Sequence, residues 1–467
     1  MRIRALLAAG LVAMPCAARA HGFGQRYDLP LPLWLYLTGA GLTVALSFGL
    51  LALWRRDDAS PAYQGDYARL VLRRIPGAHA IAAILRLLVL ALYILVIVAG
   101  FTGAQNPVKN IAPAMVWAIW WVGMAYVSAL VGDLWALVNP LDTVARAVQR
   151  LFPHWRAPLP WPAWLDSWPA TVLFFCFIWM ELNWEGSEQP ASLALAMLLY
   201  SVLAWTGMAL FGRTVWLRHA EVFNVVFGLL ARFAPNTIRD GAWYVRPYAA
   251  GLLTRQPVRP ARLLLVMLML ASVSFDGMME TQAWYDIVDA VLAISPGALG
   301  WITTAALLLL PALFLLVFLL FCALIARCGA STSQPALPLA RVAGHFVLTL
   351  VPIAIAYHFA HYLSFLAMAG QYLIPLASDP LGLGWDLFGT TLYFIRLGLV
   401  DAKAVWYVSL FAIVAGHVAA VWLAHVCALR LFGSRSAALR SQYPMLALMI
   451  AYTLLSLWII AQPIVGG

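Results

Sequence analysis

The apolar positions of this chain run on unbroken for about 20 residues at a time, the length that carries an α-helix across the hydrocarbon core of a bilayer. Ten such runs stand out, near residues 33–54, 80–101, 113–135, 168–184, 191–212, 262–281, 300–326, 342–365, 404–429 and 443–463. None shows the period-2 alternation of barrel strands. A bilayer admits only helices or closed barrels, so the pattern predicts an all-α polytopic transmembrane helical bundle of about ten spans.

Ahead of the first run, residues 1–20 read as a cleavable signal peptide. Arg2 and Arg4 form the basic start, Ala5 to Met14 a short apolar stretch, and Ala18-Arg19-Ala20 a small-residue cleavage site. Cleavage after Ala20 makes His21 the mature N-terminus and leaves residues 21–467 as a single transmembrane domain. The longest inner loop, 213–262, contains AEVFNVVFGLLARFAP, too short to cross and flanked by arginines, which is expected as a helix lying in the membrane interface. Two outer segments, 283–299 and 366–403, carry Trp284, Tyr285, Trp385 and Tyr393 and are expected to fold over the bundle mouth as lids.

Composition agrees and excludes other classes. Hydrophobic residues make up 64% of the chain and charged residues 10%, against about 25% charged in a soluble domain. A water-soluble globule, a disordered chain and a nucleic-acid-binding domain are therefore set aside, and the net charge of +10 needs a different explanation. Placed with the mature N-terminus outside, the inner loops hold 21 of the 29 Lys and Arg residues and the outer segments only 4. That asymmetry orients both mature ends outward, toward the periplasm of an inner membrane.

The acids show the opposite bias. Asp28, Glu181, Glu185, Glu188, Asp276, Glu280, Asp286, Asp289, Asp379, Asp386 and Asp401 all fall at or beyond outer span ends. Acids contribute little to orientation, so this concentration points to chemistry on that side. The mature cysteines, Cys176, Cys322, Cys328 and Cys427, are not placed for an extracytoplasmic disulfide and form no CxxC pair.

Ionisable residues at membrane depth are expensive and are candidates for function. Asp276 and Glu280 in SFDGMMETQAW are spaced i,i+4 and share a helix face, as do His358 and His361 in AYHFAHY at i,i+3. Glu181 closes the fourth span on the same side. Together they supply the donor types of a zinc-like divalent site, in which the metal activates a bound water. Each also has a plain reading: the carboxylates as solvated span ends, the histidines as donors to neighbouring carbonyls. His417 and His425 in the ninth span, and His345, fit either a proton relay or ordinary packing between helices. His21, as a mature N-terminus, offers an amine and an imidazole suited to copper. HExxH, GxSxG and Walker A motifs are missing.

Three segments, HGFGQRYDLPLPLWLY (21–36), SFDGMMETQAW (274–284) and HFAHYLSFLAMAGQYLIPLASDP (358–380), resemble bacterial multi-span inner-membrane proteins grouped as fenitrothion hydrolases. The resemblance implies hydrolysis of an organophosphorus triester, an apolar small molecule that partitions into the lipid bilayer, by a phosphoric triester hydrolase. It brings no assigned catalytic residues. On the residues themselves, a divalent ion held by His358 and His361, with Asp276, Glu280 and Glu181, would generate the attacking hydroxide. The competing expectation is a membrane transporter or a copper-handling protein built from the same groups. A transporter needs polar groups along a path through the bilayer, whereas an enzyme needs them gathered on one side.

Overall fold

A computed structural model of the chain describes residues 29–53, 68–73, 75–239, 241–330, 335–396 and 398–465. The signal-peptide expectation for residues 1–20 and the metal expectation for His21 lie outside the described residues.

The structure is an all-α bundle. Among the described residues, nine helices are long and apolar enough to cross a membrane. A tenth apolar helix, Trp168–Asn183, coincides with the remaining run but has only 16 residues. In chain order the helices are α1 (Leu33–Leu53), α2 (Ala78–Thr102), α3 (Ile111–Leu130), α4 (Leu134–Val138), α5 (Pro140–Leu151), α6 (Trp168–Asn183), α7 (Pro190–Phe211), α8 (Arg213–His219) and α9 (Val222–Leu230). They continue with α10 (Pro260–Met279), α11 (Gln282–Leu292), α12 (Leu299–Cys328), α13 (Leu339–Phe346), α14 (Val351–Ala369), α15 (Leu373–Ser378), α16 (Ala402–Leu431) and α17 (Arg435–Val465).

Burial separates a centre from a periphery. α10 is buried along most of its length, whereas α1 and α12 turn Leu42, Leu46, Leu309 and Leu316 outward, as suits helices whose solvent is lipid. α14 packs against α16 and α10, α16 against α17 and α1, and α2 against α7. Where α14 meets α16 the backbones come close: a Cβ on Gly416 would lie 2.5 Å from the Ala356 Cβ and 2.8 Å from the Pro352 carbonyl. Small residues at such crossings let membrane helices approach without side chains between them.

Helix ends follow from local sequence. Buried Asn110 accepts from the Ala112 amide at 3.0 Å and donates to the Ala99 carbonyl at 2.7 Å, so one side chain starts α3 and closes α2. Asp133 caps α4 by accepting from Ala136, and Asn139 caps α5 by accepting from Leu141 and Asp142. Within α3, residues Ala114–Gly123 wind as a π-helix, a distortion that often accompanies functional sites.

Three details depart from the sequence reading or add to it. The helix expected in the interface, α9, instead packs inside the bundle against α3, α4 and α6, with Val222, Phe223, Val226, Phe227, Leu229 and Leu230 all buried. Its nine residues are too few to cross, and its apolar side chains are covered by protein instead of lipid. The outer segment 366–403 does not begin as a loop; helix continues through α14 and α15 to Ser378. Beyond it, the Pro380 and Leu381 carbonyls accept from Ile111 and Ala104, stitching this stretch to the α2–α3 connection. A small antiparallel sheet was not foreseen at all: β1 (Arg69–Leu72), β2 (Asn236–Arg239) and β3 (Ala242–Val245) lie in the order β1-β3-β2. Gly241, with φ +74°, supplies the left-handed turn between β2 and β3.

Candidate functional site

Three of the residues singled out from the sequence meet inside the bundle. Asp276, on the last turn of α10, is 5% exposed. The His361 Nε2–H, from α14, points to Asp276 Oδ2 at 3.0 Å. The Tyr362 hydroxyl donates to the same Asp276 oxygen at 2.5 Å and lies 3.3 Å from Glu181 Oε1 on α6. Tyr362 is thus the hub that joins two carboxylates and a histidine from three helices.

Donor counting constrains this hub. A phenol carries one hydrogen and two lone pairs, while each ionised carboxylate only accepts. One hydrogen cannot serve both Asp276 and Glu181. A proton on Glu181, donated to the phenol oxygen while the phenol donates to Asp276, completes the chain of bonds. The network is therefore built to hold a proton in one arrangement and to lose a bond without it.

The other candidates lie apart. Glu280 follows α10 as its C-cap residue and is half-buried, at the edge of the network. His358 shares the α14 face with His361, but the Tyr362 ring is 4.7 Å from each imidazole centroid. Trp121 and Tyr126 of α3 pack edge-on to His358 at 5.7 and 5.8 Å. The His358 Nε2 is buried and without a protein partner, beside a cavity of about 40 Å³ that is also lined by Glu181, Trp121 and Tyr362. That volume admits about one to three waters. Among the described residues, no group of three or more His, Cys, Asp and Glu side chains is arranged to hold a metal ion.

Further buried polar groups lie on α10 and on the neighbouring α16 and α17. Ser274, on α10, and Tyr452, on α17, have their oxygens 2.5 Å apart. The His417 Nδ1–H donates to the Ile413 carbonyl at 2.8 Å, with its ring 5.9 Å from that of Tyr452. His425 and Gln442 pair at 2.9 Å. α16 then ends near Arg430, at the opposite end of the bundle from Asp276.

Sequence reasoning missed Tyr362, because a tyrosine toward a span end reads as part of an aromatic belt. It also missed Glu221, which is fully buried at the start of α9. Its carboxylate accepts from the amides of Asn224 (2.6 Å) and Phe223 (3.4 Å), the Tyr200 hydroxyl (2.7 Å), Asn139 Nδ2 (3.2 Å) and Trp135 Nε1 (3.4 Å). Burial raises its carboxyl above the usual range, and the donors oppose that rise without cancelling it. The available signal was an acid directly before an apolar helix, the position of a cap.

At the arginine-rich end, a cleft of about 2180 Å³ opens between α2, α4, α8, α9 and α10. Among the described residues Cys176, Cys322, Cys328 and Cys427 are free.

Comparison with known proteins finds no matching family model, no matching curated relative and no matching solved structure.

Proposed function

We propose that this chain is a proton-coupled transporter of an inner membrane, oriented with its acid-bearing end and mature N-terminus toward the periplasm. One observation carries the reading: buried polar groups continue from the Glu181–Tyr362–Asp276–His361 network, through Ser274, Tyr452 and His417, to His425 and Gln442. They occupy successive depths of one helix group instead of collecting on one side. Intramembrane ionisable groups in such series mark proton paths in pumps and transporters. The π-helical stretch of α3 is a further interruption of the kind that accompanies functional sites.

In this reading Tyr362 takes a proton from Glu181 as it gives its own to Asp276, and the His361 Nε2–H holds the Asp276 carboxylate in place to receive it. Each transfer runs along a hydrogen bond already formed, so only a proton moves. Coupling requires that a second arrangement of α6, α10 and α14 exposes the network to the other side.

A second reading, hydrolysis of an organophosphorus triester, draws support from the Asp276–His361 bond, since a carboxylate-oriented imidazole suits a general base. The cavity beside the network is too small for such a substrate without the bundle opening. Proteoliposomes containing a pH-sensitive dye separate the two. Transport predicts a proton flux that Tyr362→Phe and Asp276→Asn abolish, with no nitrophenol released from a nitrophenyl triester. Nitrophenol release that depends on His361, without any flux, would replace the first reading by the second.

A further inference from the structure

We propose that the large cleft at the arginine-rich end is a binding site for a phosphate-bearing anion, either a soluble phosphate or the headgroup of an anionic phospholipid. The cleft is lined by eleven arginines and two aspartates, with no glutamate and no lysine. Excess positive charge in loops on one face is what membrane insertion alone would produce, but three features exceed that demand.

The first is Arg86, which sits within the α2 span instead of a loop, and whose Nε donates to the Leu137 carbonyl at 2.8 Å, fixing the side chain on the cleft wall. Insertion penalises an arginine at that position. The second is Arg232, which follows α9, lines the cleft and makes no ion pair among the described residues. Burial, and then the neighbouring charge of Arg262, hold its pKa below the usual guanidinium range. The third is how the lining acids are used. Asp133 caps α4, and Asp166 stands 3.6 Å from Arg259. Asp142, outside the lining, pairs with Arg146 and Arg213, and among the described residues no ion pair reaches Arg218, Arg232 or Arg262.

Like charges gathered around a concave, partly desolvated surface repel one another, and an anion placed among them relieves that cost. Guanidinium forks match the paired oxygens of a phosphoryl group, which favours phosphate over a simple halide. The site stands whether or not the buried network moves protons.

The test uses full-length protein purified in a neutral detergent, with inorganic phosphate titrated by calorimetry at low salt. In parallel, protein from nanodiscs of phosphatidylglycerol or phosphatidylcholine is analysed by native mass spectrometry. Saturable phosphate binding assigns the site to a soluble anion, and retention of phosphatidylglycerol over phosphatidylcholine assigns it to a headgroup. Either result must weaken by about tenfold, roughly one lost charge-assisted contact, in Arg232→Gln and Arg218→Gln. Arg150→Gln, outside the cleft, must bind as the wild type does. If Arg232→Gln does not fold, the exposed Arg218 carries the comparison. The proposal is overturned if neither probe binds saturably, if both cleft variants bind normally, or if Arg150→Gln loses as much as they do.

Discussion

His361 and Asp276 are 85 residues apart in sequence, yet their side chains meet at 3.0 Å across the interface between α14 and α10, both almost fully shielded from solvent. A carboxylate in that setting depends on its donors, because lipid and apolar side chains offer it none. Replacing Asp276 by Ala leaves His361 and Tyr362 without their shared acceptor. Removing one member of such a buried pair costs about 3–5 kcal/mol. Thermal unfolding in detergent, followed by tryptophan fluorescence, should show a large fall in midpoint. An unchanged midpoint would mean that water replaces the carboxylate and that the site is wetter than its burial indicates.

Tyr362→Phe tests the bridge more gently, since it removes one oxygen and keeps the ring between the two imidazoles. Stability should fall by about 1–3 kcal/mol, the range for leaving a buried acceptor unsatisfied. Proton flux should drop far more steeply than the remaining folded fraction. A flux that merely tracks the folded fraction would reduce Tyr362 to a packing role.

Glu221 makes the protein's stability depend on pH in a defined direction. Its folded pKa is raised, chiefly by burial, so between the ordinary glutamate range and the raised value the folded state holds more proton than the unfolded one. Stability contributed by that group is present at low pH and declines as pH rises through this window. Glu221→Gln should flatten that part of the curve of unfolding midpoint against pH, while lowering the acid-side midpoint through weaker capping of α9. The idea fails if the glutamine variant keeps the full wild-type slope.

Two glycines offer a paired comparison. At Gly416 an added methyl would meet Ala356 and Pro352 of α14, so Gly416→Ala must push the helices apart and should cost about 1–3 kcal/mol. At Gly39, exposed on α1, nothing lies within 4 Å of the added methyl. There Gly39→Ala should be neutral or stabilise by about 0.5–1 kcal/mol through reduced chain freedom. Equal behaviour of the two variants would contradict the close α14–α16 crossing.

The bundle was legible in the sequence because apolar runs of spanning length have few other meanings, and each of the ten marked runs coincides with a helix. The meeting of Asp276 with His361 was legible for a related reason: residues near the same ends of two spans share a depth. What the spacing could not convey was orientation about each helix axis. His358 and His361 share a face by periodicity, yet only His361 reaches Asp276, while Tyr362 fills the space between the rings. Glu221 and α9 were obscured for another reason. A nine-residue helix is judged by its length to lie at the surface, and only its contacts with α3, α4 and α6 reveal that it is buried in protein.

The buried position of α9 bears on how the protein is made. Insertion machinery recognises segments by apolar length, so it can thread α7 and α10 while passing over the nine residues of α9 between them. Its contacts join it to α3, α4 and α6, and Glu221 to Tyr200, Asn139 and Trp135, so they are complete only when those elements are together. Until then its apolar side chains remain uncovered. A chain whose α9 has not docked therefore still carries that apolar surface, and carries Glu221 without its donors.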